Sequence, residues 1–145
     1  MDQIMATVNA LMPHIAMPLG LLLLVCVAVH SRYMLQGWKP ALTMIGIGAV
    51  VAYGLEEFGV HTGILYGRYY FTSMMGPKLD VIPVALVCAW VVLLYIAWNV
   101  SNLLLDQSPV PSSYSTGHIF FSAAVTALLV TTFDLNADPF AVANG

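Results

Sequence analysis

Four long stretches without a charged side chain most constrain what this chain can fold into. No Lys, Arg, Asp or Glu occurs in residues 3–31, 40–55, 81–105 and 114–133. A helix needs about 20 apolar residues to cross about 30 Å of hydrocarbon, and four segments meet or nearly meet that length. The pattern predicts an all-α integral membrane protein, a bundle of four transmembrane helices at about 12–31, 39–58, 81–105 and 116–137.

The scarcity of charged residues argues against a soluble protein. Only 8% of the 145 residues are charged and 60% are apolar, whereas soluble domains carry about a quarter charged residues. The net charge of −3 and the lack of a basic patch argue against nucleic-acid binding. We therefore expect membrane lipids as partners and a multi-pass location, in the inner membrane of a prokaryotic cell. No repeat divides the chain, so residues 1–145 are predicted to form a single transmembrane domain.

The second predicted span places two carboxylates near the hydrocarbon edge. Its uncharged part, 40–55, has 16 residues, which is about 24 Å at 1.5 Å per residue and less than the hydrocarbon thickness. Glu56 and Glu57 are therefore expected at or just inside that edge. They point about 100° apart on a helix, so one can face the bundle while the other faces elsewhere.

The fourth predicted span has a similar end. Its uncharged part, 117–133, has 17 residues, or about 25 Å, which places Asp134 near the hydrocarbon edge and Asp138 one turn further out. Because Pro139 disfavours the helical conformation in the residue before it, we expect the helix to end at Asp138.

Connectivity predicts that the ionisable residues cluster at one membrane face. Four alternating spans put the ends of the second and fourth helices and the loop 59–80 on the same side. Ionisable groups at membrane depth are costly and are often functional. The expected cluster consists of Glu56, Glu57, His61, Arg68, Lys78, Asp80, Asp134 and Asp138.

Two interpretations of this cluster follow from its chemistry. A carboxyl group in an apolar setting keeps its proton more readily than in water and can then serve as a general acid. Alternatively, the carboxylates pair with Arg68 and Lys78 and only close the bundle.

The four histidines raise a separate hypothesis. His14 and His61 are expected near one membrane side, and His30 and His118 near the other. Two cross-helix pairs in a four-helix bundle could ligate two haems or a chlorophyll-type pigment. Alternatively, all four make ordinary interfacial hydrogen bonds. No metal-binding spacing such as His-Glu-x-x-His occurs, so no metal is predicted.

A set of motifs carries a family resemblance. They read Glu56-Glu57-Phe58-Gly59-Val60-His61-Thr62-Gly63, Tyr66-Gly67-Arg68-Tyr69-Tyr70, Gly76-Pro77-Lys78-Leu79, Val81-Ile82-Pro83-Val84, Trp90 and Asp134-Leu135-Asn136-Ala137-Asp138-Pro139. With these motifs, over about residues 50–145, the chain resembles the membrane carotenoid 1′,2′-hydratase family. That family includes bisanhydrobacterioruberin hydratase and the γ-carotene 1′-hydroxylating enzymes.

The resemblance implies an enzyme of the hydro-lyase type that adds water to the terminal double bond of a carotenoid ψ end without a cofactor. The ligand is then a carotenoid or another apolar polyene. A protonated carboxylic acid donates to the alkene, and a second carboxylate stabilises the cation and activates water. The residues implied are Glu56 or Glu57 as the acid, Asp134 or Asp138 as the base, and His61, Arg68 and Tyr69 as groups that tune the acids and order water.

The chain departs from the family in length. Family members are expected to continue past the Asp-Pro segment with further spans, so this chain is expected to be a part of a longer protein or a member shortened at the carboxyl end. A shortened member that has lost catalysis would keep a pigment-binding bundle. The alternative function is therefore a non-catalytic pigment-binding or structural transmembrane subunit of a larger complex, for example a photosynthetic one.

Overall fold

Four long helices make up most of the chain. A computed structural model describes residues 2–64, 67–111 and 113–143, without the side chains of 2–5, 8, 9 and 138–143. All four helices are long and apolar enough to cross a membrane, which confirms the predicted all-α, four-helix membrane protein. The helices are α1 (Asp2–Met34), α2 (Trp38–Thr62), α3 (Val84–Asp106) and α4 (Thr116–Ala143).

Helix α3 is the centre of the bundle, because it packs against α1, α2 and α4. Small residues allow close approach at these contacts, as is usual between membrane helices. A Cβ atom added at Gly20 of α1 would lie 3.3 Å from the Cβ atom of Cys88 on α3. Helix α3 therefore contacts each of the other three helices.

A buried polar network joins α3 to α4. The Ser101 hydroxyl donates to the carbonyl oxygen of Ser122 at 3.1 Å, and the Ser122 hydroxyl donates to Asn102 Oδ1 at 3.2 Å. Asn102 Nδ2 in turn donates to the carbonyl oxygen of Pro109 at 3.1 Å. Hydrogen bonds between membrane helices stabilise their association, so this network fixes α4 against α3.

The third helix begins later than predicted, at Val84 instead of residue 81. The preceding residues form a short antiparallel hairpin, in which β1 (Lys78–Leu79) pairs with β2 (Ile82–Pro83). Asp80 begins its turn with φ 51°, and Asp is among the residues that tolerate this left-handed region. The hairpin thus carries Asp80 in its turn, in the connection between α2 and α3.

Three helices, α1, α2 and α4, extend further than predicted, and the expected end of α4 at Asp138 is wrong. Helix α4 continues through Pro139 to Ala143, and α1 begins at Asp2 and contains Pro13 and Pro18. A proline removes one backbone donor and disfavours helix in the residue before it, but membrane helices tolerate the loss because other groups satisfy the freed carbonyl. The prolines do not change the number of membrane-spanning helices: the described residues contain four, as predicted.

Candidate functional site

The last two turns of α2 carry Glu56 and Glu57, which are both half-buried. Glu56 points toward α3, where it meets Trp90, whereas Glu57 lies on the side of His61 and the hairpin. The two adjacent carboxylates therefore have different neighbours.

Both oxygens of the Glu56 carboxylate accept hydrogen bonds. The indole Nε1 of Trp90 on α3 donates to Oε1 at 2.7 Å, and the hydroxyl of Tyr69 in the loop after α2 donates to Oε2 at 2.9 Å. Hydrogen bonds to an ionised acceptor are stronger than those between neutral groups. Glu56 therefore ties α2 to α3 and to the loop, and its carboxylate is held in one orientation.

Tyr69 reaches Glu56 across a buried glycine. A Cβ atom added at Gly59 would lie 2.6 Å from the Tyr69 hydroxyl oxygen, a separation that requires one of the two to move. The glycine at this position is therefore what allows the hydrogen bond between Tyr69 and Glu56.

Replacing Gly59 by Ala should displace the Tyr69 hydroxyl and destabilise the protein by about 1.5–3 kcal/mol, the usual contribution of a hydrogen bond to a charged group. The matched control is Gly54→Ala on the same helix, where an added Cβ atom meets nothing within 4 Å. There the helix preference for Ala over Gly, about 1 kcal/mol, should leave stability equal or higher. The free energy of unfolding in detergent measures both, and equal stability of the two variants would contradict the role of Gly59.

Glu57 lacks a full set of hydrogen bonds. Its side chain is 26% exposed, and His61 Nδ1 lies 3.4 Å from Oε1 and 2.9 Å from the Glu57 carbonyl oxygen. The Tyr53 phenol, one turn earlier, lies near the Asp80 carboxylate and is close enough to the Glu57 carboxylate for a weak hydrogen bond. Glu57 Oε2 is buried and has no hydrogen-bond partner among the described residues. This oxygen is therefore available to a proton or to a ligand.

Three residues at this point could hold a metal ion. One ligand atom from each of Glu57, His61 and Asp80 lies within 4.8 Å of the other two, and carboxylate and imidazole are common ligands of divalent metals. His61 and Asp80 are exposed. The sequence spacing does not reveal this group, because the hairpin supplies Asp80.

The two basic residues of the loop do not neutralise the glutamates. Lys78 Nζ donates to the carbonyl oxygen of Phe71 at 2.6 Å, and Arg68 is exposed and lies against Gly63. Within the described ranges, neither forms a salt bridge with Glu56 or Glu57, so the alternative that basic groups pair with the carboxylates does not hold for these two glutamates. The reason is local: neutral donors on Trp90 and Tyr69 already occupy the Glu56 oxygens.

The predicted base lies on a different helix. Asp134 is half-buried on α4, which packs against α3 and makes no comparable contact with α2 in the described residues, so helix packing does not join Asp134 to the two glutamates. Asp138 is part of the same helix, and its side chain lies outside the described residues. The role of either residue as a base stays a prediction.

The histidines do not form the cross-helix pair that the haem hypothesis requires near the second membrane side. His30 Nδ1 hydrogen-bonds the Tyr95 hydroxyl, and His118 Nε2 lies 3.0 Å from Asp106 Oδ2. Their partners are 11 residues apart on α3, about 16 Å of helix rise. His30 and His118 are therefore held at different depths and make ordinary hydrogen bonds.

Sequence reasoning missed the contacts of two aromatic residues. Trp90 was noted only as part of the family resemblance, and its contact with Glu56 was not predicted. An indole N–H inside a span needs an acceptor, and a neighbouring helix carries Glu56. Tyr53 was missed, although its spacing of four residues before Glu57 places the two on one helix face.

A comparison with known families gives one match. The family model described as "Carotenoid biosynthesis protein" matches residues 15–145, which include both glutamates and all of α2, α3 and α4. Comparisons with curated proteins and with solved structures gave no significant match. The chain therefore belongs to the carotenoid biosynthesis protein family and is a multi-pass membrane protein with a role in carotenoid biosynthesis.

Proposed function

We propose that this protein adds water to the terminal double bond of a carotenoid ψ end and produces a tertiary alcohol. The observation that carries the proposal is the contrast between adjacent carboxylates: both Glu56 oxygens accept hydrogen bonds, whereas one buried Glu57 oxygen, Oε2, has no hydrogen-bond partner among the residues that the structure describes. Hydration of an alkene needs a group that gives a proton and a fixed negative charge near the resulting cation. Two such groups side by side meet both needs.

The reaction begins with a proton transfer. Protonated Glu57 gives its proton to the CH carbon of the double bond, whose π electrons form the new C–H bond. The positive charge develops on the tertiary carbon, and the Glu56 carboxylate, positioned by Trp90 and Tyr69, stabilises it.

Water then completes the addition. Its oxygen forms the bond to the tertiary carbon, and a base removes the extra proton. We assign the base to Asp134 or Asp138, and the proton returns to Glu57 through water and His61, which lies beside the Glu57 carboxylate. Arg68, which is exposed, orders water at the loop. The net change is the addition of one water molecule, and no atom is oxidised or reduced overall.

The proposal is tested by expressing the chain in a bacterial host that accumulates lycopene or γ-carotene, with the protein in the inner membrane. Pigment mass analysis should show the gain of one water. If the folded protein retains carotenoid and no pigment gains water, the hydration proposal fails. The alternative of a non-catalytic pigment-binding subunit, in a larger complex, then replaces it.

Replacing Asp134 by Asn tests the base. If Asp134 is the base, the yield of hydrated product should fall by about 10²–10⁴-fold, the usual contribution of general base catalysis. The control is the double variant Asp134→Asn with Asn136→Asp, which restores the net charge but moves the carboxylate about 200° around α4, and which should remain inactive. Full activity in Asp134→Asn would remove Asp134 from the mechanism and leave Asp138 as the base.

A further inference from the structure

An apolar groove lies between α2 and α3 on the surface that faces the membrane. Its volume is about 300 Å³, at the lower end of the range for small-molecule sites, so it suits one end of a long ligand. Its lining is apolar apart from one phenol. The lining residues are Ala49, Val50 and Tyr53 of α2, Leu79 of β1, and Val84 and Val87 of α3.

The groove leads toward Glu57. Tyr53 lines it and also lies near the Glu57 carboxylate. Leu79 lines it from the hairpin, and the next residue, Asp80, has a carboxylate oxygen within 4.8 Å of Glu57. Ala49, Tyr53 and Glu57 follow one another at four-residue intervals, about 6 Å of rise each, on one face of α2. Two independent elements therefore connect the groove to the carboxyl group that has the unpartnered oxygen.

We propose that this groove binds the terminal isoprenoid unit of the polyene and presents its end double bond to Glu57; the inference rests on the proposed function. The groove opens to the hydrocarbon, because Val50 is 73% exposed on a membrane-spanning helix. No charged side chain is among its lining residues, and a polar ligand group buried there would lose its hydrogen bonds. An apolar chain enters from the bilayer without crossing water.

The test compares two Val-to-Trp substitutions at neighbouring positions. Val50→Trp fills the groove, whereas Val51→Trp adds the same ring at a residue that is 48% exposed and does not line it. Each variant is purified from lycopene-containing membranes, and retained lycopene and hydrated product are measured. Val50→Trp should lower both by at least about tenfold, equivalent to about 1.4 kcal/mol of binding free energy, and Val51→Trp should lower neither.

The two readouts separate this inference from the proposed function. If Val50→Trp forms as much product as the wild type, the proposed binding in the groove is overturned and the hydration proposal is unaffected. If Val50→Trp abolishes lycopene retention and the wild type forms no product, the result supports binding in the groove and overturns the hydration proposal. Equal retention in all three proteins overturns the groove. If Val50→Trp does not fold, Leu79→Trp blocks the opposite wall, and the same expectations apply.

Discussion

Replacing Glu57 by Gln should lower the yield of hydrated carotenoid by about 10²–10⁴-fold, the usual contribution of a general acid. Glutamine has nearly the same size and keeps the contact with His61, but its amide does not transfer a proton to an alkene. The measurement is the ratio of hydrated to unchanged pigment in the host, at equal amounts of folded protein in the membrane.

The control for this prediction is Asp80→Asn. Asp80 has a carboxylate oxygen within 4.8 Å of a Glu57 oxygen, so its replacement also removes one carboxylate from this group. Because Asp80 is exposed and is not assigned the proton, we expect its loss to change the yield far less. Equal losses in the two variants would point to a shared electrostatic effect or a shared bound ion. That result, or full activity in Glu57→Gln, would contradict the assignment of Glu57 as the proton donor.

Replacing Trp90 by Phe should lower the free energy of unfolding by about 1.5–3 kcal/mol. The phenyl ring preserves most of the packing against α2, but it leaves Glu56 Oε1 without its donor at 2.7 Å. An unsatisfied carboxylate oxygen in a half-buried site keeps the cost of its desolvation. Denaturant titration of the purified protein in detergent measures the loss.

Trp98→Phe on the same helix is the matched control. The Trp98 ring packs against Tyr95 with ring centroids 6.1 Å apart, so this substitution reports the loss of ring area. A double-mutant cycle with Glu56→Leu isolates the hydrogen bond, because Trp90→Phe should cost little once the carboxylate is gone. An equal cost in both backgrounds would show that Trp90 contributes through packing and does not position Glu56.

The positions of the spans were predictable because charge is so scarce in this chain. A run of 16 uncharged residues is shorter than the hydrocarbon, and this alone placed Glu56 and Glu57 near the membrane boundary. The ends of the elements were less predictable. Pro139 does not end α4, and residues 82–83 form a strand because their partners in 78–79 lie across a two-residue turn.

The arrangement of the site was predictable only in part. Counting spans placed His61 and Asp80 on the same face as Glu57, and the structure brings ligand atoms of all three within 4.8 Å. Sequence periodicity does not give the rotation of α2 relative to α3, however. It therefore could not show that Glu56 accepts a hydrogen bond from the indole of Trp90, 34 residues away, while Glu57 Oε2 has no such partner within the described part of the chain.

The most direct test of the central claim, addition of water to a polyene end, follows the atoms of that water. Purified protein in liposomes that contain lycopene is incubated in H₂¹⁸O and, separately, in D₂O, and the products are analysed by mass spectrometry. Hydration by proton transfer predicts one ¹⁸O atom from water in the new hydroxyl group and one deuterium on the adjacent carbon. An oxygen atom that comes from O₂, or a new hydroxyl without deuterium beside it, would contradict hydration by proton transfer.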